Sequence, residues 1–173
     1  IIEEIKKINP DQKIVIGGPG VEMYNTKNKL ARPDQAILGD ADEAIISLLK
    51  EEQISKNYYY LQNVDDLPYP DYSDVDWDQY CTPKKVYITG SRGCVRRCTF
   101  CDVAYIWPKF KYRSGKQIAE EMDYMYNNVI ANNYFEFTDS LINGSLKAFR
   151  ELCVEMKKVN LKIKKEQNKK IIW

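Results

Sequence analysis

The chain has 173 residues, 44% of them hydrophobic and 29% charged, enough apolar material for one domain or two small ones with a buried core. Its formal net charge of +1 leaves no strong electrostatic case for nucleic acid or an acidic membrane surface as a partner. The sequence contains no histidine, so Ser–His or Cys–His nucleophilic catalysis within the chain is excluded and any metal chemistry must run on thiolates and carboxylates.

No apolar run approaches the about 20 residues that span a bilayer, and no secretory signal is visible in Ile1 to Ile8, where charges and aliphatics alternate. Five cysteines, three of them clustered, argue against a disulfide framework and for a reducing cytoplasm. Aliphatics at 1, 2, 5 and 8 predict a helix stopped by Asn9-Pro10. A chain that opens in mid-helix without Met reads as a piece of a longer protein. Lys13 to Ile16 predicts a buried strand delivering the tight loop Gly17-Gly18-Pro19-Gly20. Residues 21–35 are polar and irregular. Ala36 to Leu38 predicts a second strand, followed by Gly39-Asp40-Ala41-Asp42-Glu43 and a buried-side helix over Glu43 to Lys50. This alternation is the grammar of a parallel α/β sheet.

Residues 1–54 form the first unit on this reading, and 55–83 a linker with turn chemistry and no period. The linker is rich in tyrosine and tryptophan and is expected to pack on a surface. The second unit, 84–173, opens with a strand over Lys85 to Thr89 that feeds Gly90-Ser91-Arg92-Gly93 and a cysteine loop. Ser114 and Gln117 match a capping box, and Ile118, Met122, Met125 and Val129 follow at helical spacing. Tyr134 to Thr138 predicts a strand, Asp139 to Gly144 a loop, Leu146 to Val159 a helix, and Ile171-Ile172-Trp173 the start of another strand. The basic stretch Lys162 to Lys170 reads as a solvated surface segment.

Cys94, Cys98 and Cys101 stand as C-x3-C-x2-C. Three thiolates at this spacing can hold three corners of a cubane iron–sulfur cluster and leave the fourth iron open to a small molecule. A structural zinc site would need a fourth ligand from Cys81, Cys153 or a carboxylate. A redox dithiol would use only the C-x2-C pair. Arg92, Arg96, Arg97 and Arg113 lie around the loop in sequence, either to offset cluster charge or meet an anionic substrate, or simply as exposed loop arginines. Cys81 and Cys153 are most simply packing residues.

C-x3-C-x-aromatic-C after a first strand resembles the signature of radical S-adenosylmethionine enzymes. The resemblance implies that Cys94, Cys98 and Cys101 ligate a 4Fe–4S cluster whose open iron is chelated by S-adenosylmethionine. One electron would then cleave the sulfonium C–S bond to give a 5′-deoxyadenosyl radical. It implies a place for Phe100 near the adenine and an electron donor such as a flavodoxin or ferredoxin. Thr138, Asp139 and Ser140 stand where that family contacts the cofactor's amino group, in a Phe-Thr-Asp-Ser variant similar to cobalamin-associated members; the alternative is that Asp139 caps the next turn.

Val15-Ile16-Gly17-Gly18-Pro19 and Leu38-Gly39-Asp40-Ala41-Asp42-Glu43 resemble the end of the cobalamin-binding domain often fused ahead of the radical barrel. There Gly17, Gly18, Gly39 and Asp40 would line the cofactor. The implied fold is the C-terminal part of a Rossmann-like cobalamin-binding domain followed by the first β/α units of a partial TIM-type barrel. The resemblance covers most of residues 13–159, without the upstream cobalt-ligating histidine motif of that family. Such a segment is not expected to turn over alone. Its substrate is not specified, methyl transfer is one outcome among several, and a non-cobalamin front domain or a zinc- or thiol-stapled module are the alternatives.

Overall fold

The computed structural model describes residues 1–18, 20–21, 33–52, 58–80, 85–129 and 133–173. Pro19 and Cys81 lie outside the described residues, as do 22–32 of the stretch expected to be irregular. The architecture is mixed α/β, and contacts divide the chain into Ile1–Gln62 and Asn63–Trp173.

In the first unit, helix α1 spans Ile2–Ile8. Strand β1 (Val15–Ile16) pairs in parallel with β2 (Gln35–Ala36), and β3 (Leu38–Gly39) in parallel with β4 (Tyr58–Tyr59). The strand expected over Ala36 to Leu38 therefore breaks at Ile37, which is buried, and its two halves serve different partners. Strand β4 falls in the stretch read as linker. A tyrosine run has strand propensity but carries no flanking turn signal or alternation that would mark it. Helix α2 (Asp42–Leu49) turns Ala44 and Leu48 inward, an i, i+4 pair on one face. Ile45, Ile46 and Leu49 are exposed, so the expectation of a broadly buried apolar face is corrected: the inward face is one narrow stripe.

In the second unit, β5 (Val86–Ile88) and β8 (Phe135–Phe137) pair in parallel, joined through helix α4 (Gly115–Asn128). Helix α5 (Leu146–Gln167) then returns the chain so that Ile172 bridges Tyr134 in parallel. The carboxyl ends of these parallel strands therefore lie along one edge. Asn160 on α5 secures the return: its Oδ1 accepts from Ile171 N at 2.7 Å and its Nδ2 donates to Ile171 O at 3.3 Å. Between β5 and α4 stand an antiparallel pair, β6 (Ser91–Arg92) and β7 (Lys111–Tyr112), and the short helix α3 (Val103–Ile106).

The core joins Val86, Ile88 and Phe135 of the strands to Ile118, Met122 and Met125 of α4 and to Leu152, Met156 and Ile163 of α5. Helices α4 and α5 approach so closely that a Cβ on Gly115 would lie 2.3 Å from Leu152 N. Only glycine permits that crossing.

Two expectations change here. Helix α5 continues past Val159 to Gln167, so most of the basic stretch is helical, and Ile163 within it is fully buried. Leu152, Met156 and Ile163 recur at i, i+4 and i+11 on one face, while lysine supplies both helix propensity and the solvated side. The capping box forms by half: Ser114 Oγ accepts from Gln117 N at 3.2 Å, but Gln117 Nε2 donates to Asp65 O at 3.0 Å. Asp65 Oδ1 takes the Ser114 N–H instead, at 2.8 Å. Residues 63–80 lie in this unit, with Tyr69, Tyr72 and Trp77 packed against its core.

Candidate functional site

The site is built at the carboxyl ends of β5 and β8. Thr138 N donates to Ile88 O at 3.0 Å, continuing the ladder one residue beyond the strands, and the hydroxyls of Thr89 and Thr138 meet at 3.1 Å. One residue further, Asp139 Oδ2 accepts from Gly90 N at 2.8 Å and Oδ1 accepts from the Ser91 hydroxyl. Gly90 is closely surrounded here: a Cβ would stand 2.8 Å from Ile142 Cδ1 and 3.3 Å from Asp139 Oδ1, so the Ile142 side chain would have to shift to admit one. Burial pushes the Asp139 carboxyl above its ordinary range, while the bonds from Ser91 and Gly90 act in the opposite sense.

From this root the chain runs through β6, out along residues 93–110, and back through β7, with Ser91 opposite Tyr112 and Arg92 opposite Lys111. The loop is thus closed at its base by a two-stranded ladder. Cys94 is half-buried near the base; Cys98 and Cys101 are exposed further out, and all three are free thiols. Cys94 Sγ accepts from Arg96 N at 3.4 Å, and Cys101 N donates to Cys98 O at 3.1 Å in a turn. The loop carries the three cysteines together, but among the described residues no three Cys, Asp or Glu side chains gather as a metal-ligand group. The chemistry of the donor set fits a thiolate-bound cluster: three unpaired thiols on one anchored loop, two of them solvent-facing.

Phe100 is 90% exposed at the loop's outer part. Thr138 and Ser140 are exposed and Asp139 half-buried. Arg96 and Arg97 are exposed, the latter donating to Pro108 O at 3.5 Å. Arg113 is buried instead, paired with buried Glu121 through Nη1, which also donates to Thr89 O at 3.1 Å. Its own N–H donates to Gly90 O at 2.8 Å. Burial pushes the Glu121 carboxyl up, opposed by the Arg113 charge and hydrogen bond. Arg113 Nε and Trp107 Nε1 are buried without a partner among the described residues. Cys153, expected to be packing, is exposed on α5: it lies one residue past Leu152 and so off the inward face.

In the first unit, Gly17 and Gly18 follow β1 and are exposed, Gly18 with φ +90°. Gly39 ends β3 with φ +78°. Asp40 is 5% exposed; its Oδ2 accepts from Leu61 N at 2.9 Å and its N–H donates to Tyr59 O at 3.0 Å. That carboxylate is engaged inside its own unit.

Ser91 and Glu121 are site residues that the motifs did not mark, and Arg113, expected to offset cluster charge, meet an anionic substrate or stand exposed on the loop, is buried against Glu121 instead. A signal for the pair exists in the sequence: Glu121 sits on the same helical stripe as Ile118, Met122 and Met125, and a carboxyl group there needs a buried polar or charged partner. Comparison with protein-family models, with curated proteins and with solved structures finds no match to this chain. No helix among the described residues is long and apolar enough to cross a membrane.

Proposed function

We propose that the chain is a segment of a radical S-adenosylmethionine enzyme. On this reading Asn63–Trp173 is the opening of a TIM-type barrel and Ile1–Gln62 the end of a Rossmann-like cobalamin-binding domain. The observation that carries the reading is the placement of three free thiols, C-x3-C-x2-C, on a loop leaving the carboxyl end of β5, beside Thr138 and Asp139 at the carboxyl end of the neighbouring parallel strand β8. The carboxyl edge of a parallel α/β sheet is where such folds bind ligands.

Cys94, Cys98 and Cys101, as thiolates, would hold the cluster, leaving one iron without a protein ligand. A 4Fe–4S cluster so held would supply one-electron reduction of the sulfonium C–S bond of S-adenosylmethionine. Phe100 offers an apolar ring to the adenine, and the exposed Thr138 and Ser140 hydroxyls offer hydrogen bonds to the amino-acid end. Asp139 has both oxygens engaged with Gly90 and Ser91. Its role on this reading is to hold the strand ends together, with any contact to the cofactor's ammonium added to those bonds. A flavodoxin- or ferredoxin-type donor supplies the electron.

Buried Asp40 favours a second reading of the front unit, in which it does not bind cobalamin: its carboxylate is committed to Leu61 N. Corrinoid titration of the longest expressible form separates the two readings. The cluster is tested by anaerobic reconstitution with iron and sulfide, followed by electron paramagnetic resonance of the reduced protein. A 4Fe–4S signal that shifts on adding S-adenosylmethionine and disappears in Cys98→Ala is the expected result. Stoichiometric zinc with no cluster would overturn the proposal in favour of a thiolate-stapled module.

A further inference from the structure

The cysteine loop begins in a bedded segment and ends in solvent: Gly90, Ser91 and Gly93 are buried, Cys94 is half-buried, and residues 95–102 are exposed. What beds the segment comes from outside the loop. Arg113 covers both carbonyls at the end of β5, Thr89 O through its guanidinium and Gly90 O through its main chain. That guanidinium is held in turn by Glu121, the seventh residue of α4, which is 2% exposed.

We propose that Arg113 and Glu121 are positioning residues for the cysteine loop. The helix-borne carboxylate fixes the guanidinium, and the guanidinium fixes where and in what direction the chain leaves β5 toward Cys94. The pair reaches this segment through the side-chain bond to Thr89 O, beside the main-chain bond of Arg113 to Gly90 O. A buried charge pair resists displacement because neither partner can be withdrawn without stranding the other in a dry site. The function of the loop rests on the proposal above, but its anchoring does not.

The test is native-state alkylation with iodoacetamide of the full, reduced, iron-free chain, read cysteine by cysteine by mass spectrometry. Arg113→Lys keeps a positive charge for Glu121, yet its nitrogen ends one bond short of Nη1 and cannot hold both contacts. Circular dichroism and the urea midpoint establish that the variant is folded. Cys94 is expected to react about tenfold faster than in the parent, the equivalent of one net hydrogen bond, while Cys98 and Cys101 change by less than about twofold. Glu121→Gln, which leaves the arginine but removes its charged partner, is read the same way and shows the same selectivity. Unchanged Cys94 reactivity in a folded variant would overturn the proposal, as would equal acceleration of all three thiols together with core amide exchange. Because no iron is present, failure here leaves the cluster assignment standing, and failure to assemble a cluster leaves this result standing.

Discussion

Replacing Asp139 by asparagine and by alanine separates the shape of this side chain from its charge. Its two oxygens accept from the buried Gly90 N–H at 2.8 Å and from the Ser91 hydroxyl. Alanine orphans the Gly90 donor, a loss of about 2–3 kcal/mol for a buried group that had bonded a carboxylate. The serine hydroxyl rotates and limits the damage to that. Asparagine keeps the Gly90 bond through its oxygen and donates to Ser91 through its nitrogen, so its cost at acid pH is within about 1 kcal/mol. The charge enters through pH. Burial raises the folded-state carboxyl above the unfolded value of 3.8, so between those two values the folded chain binds more protons than the unfolded one. The stability contributed by this group is present below the unfolded value and is lost as pH rises through the raised folded value. A carboxamide does not titrate, so Asp139→Asn gains relative to the parent on going from pH 4 to pH 7. Urea unfolding followed by tryptophan fluorescence across that range measures the difference, and taking it against the parent cancels the similarly raised Glu121. An asparagine variant that loses ground steadily as pH rises would refute the reasoning, because the bonds from Gly90 and Ser91 would then outweigh burial.

Three further outcomes follow from packing. Gly115→Ala places a Cβ 2.3 Å from Leu152 N and 2.6 Å from Glu151 C, both main chain; forcing α4 and α5 apart costs about 2–3 kcal/mol, seen as a lowered thermal midpoint. Ile163→Ala empties a fully buried site in the basic stretch and costs about 2–4 kcal/mol, whereas Leu161→Ala, 59% exposed two residues away, stays within about 0.5 kcal/mol; equal costs in urea unfolding would mean α5 does not continue past Val159. Cys153→Ser leaves both the unfolding midpoint and iron uptake unchanged, because the thiol is exposed on α5 and joins no metal-ligand group among the described residues; a loss of metal in that variant would make it the fourth ligand of a zinc site.

Local chemistry was legible in the chain. Asn9-Pro10 ends α1, Ser114 caps α4, the 118/122/125 spacing marks its buried face, and C-x3-C-x2-C puts three thiols on one loop. All of these are determined by residues a few positions apart, through backbone propensity and helical period, and need no partner to be read. The alternation of strands and helices likewise announced a mixed α/β chain with parallel pairing. Only the tertiary structure decided the features whose partners are far along the chain. Tyr58–Tyr59 becomes a strand because Leu38–Gly39 offers it an edge, and the basic stretch stays helical because Ile163 finds the core. Gln117 leaves its capping box for Asp65, 52 residues away, and Asp40 turns inward to Leu61 N. Asp139 bonds the root of the cysteine loop, and Arg113 leaves the loop's charged surroundings for Glu121. In each of these the side chain's local options were open, and burial chose among them: a polar group taken out of water must find its partner wherever the fold has put one.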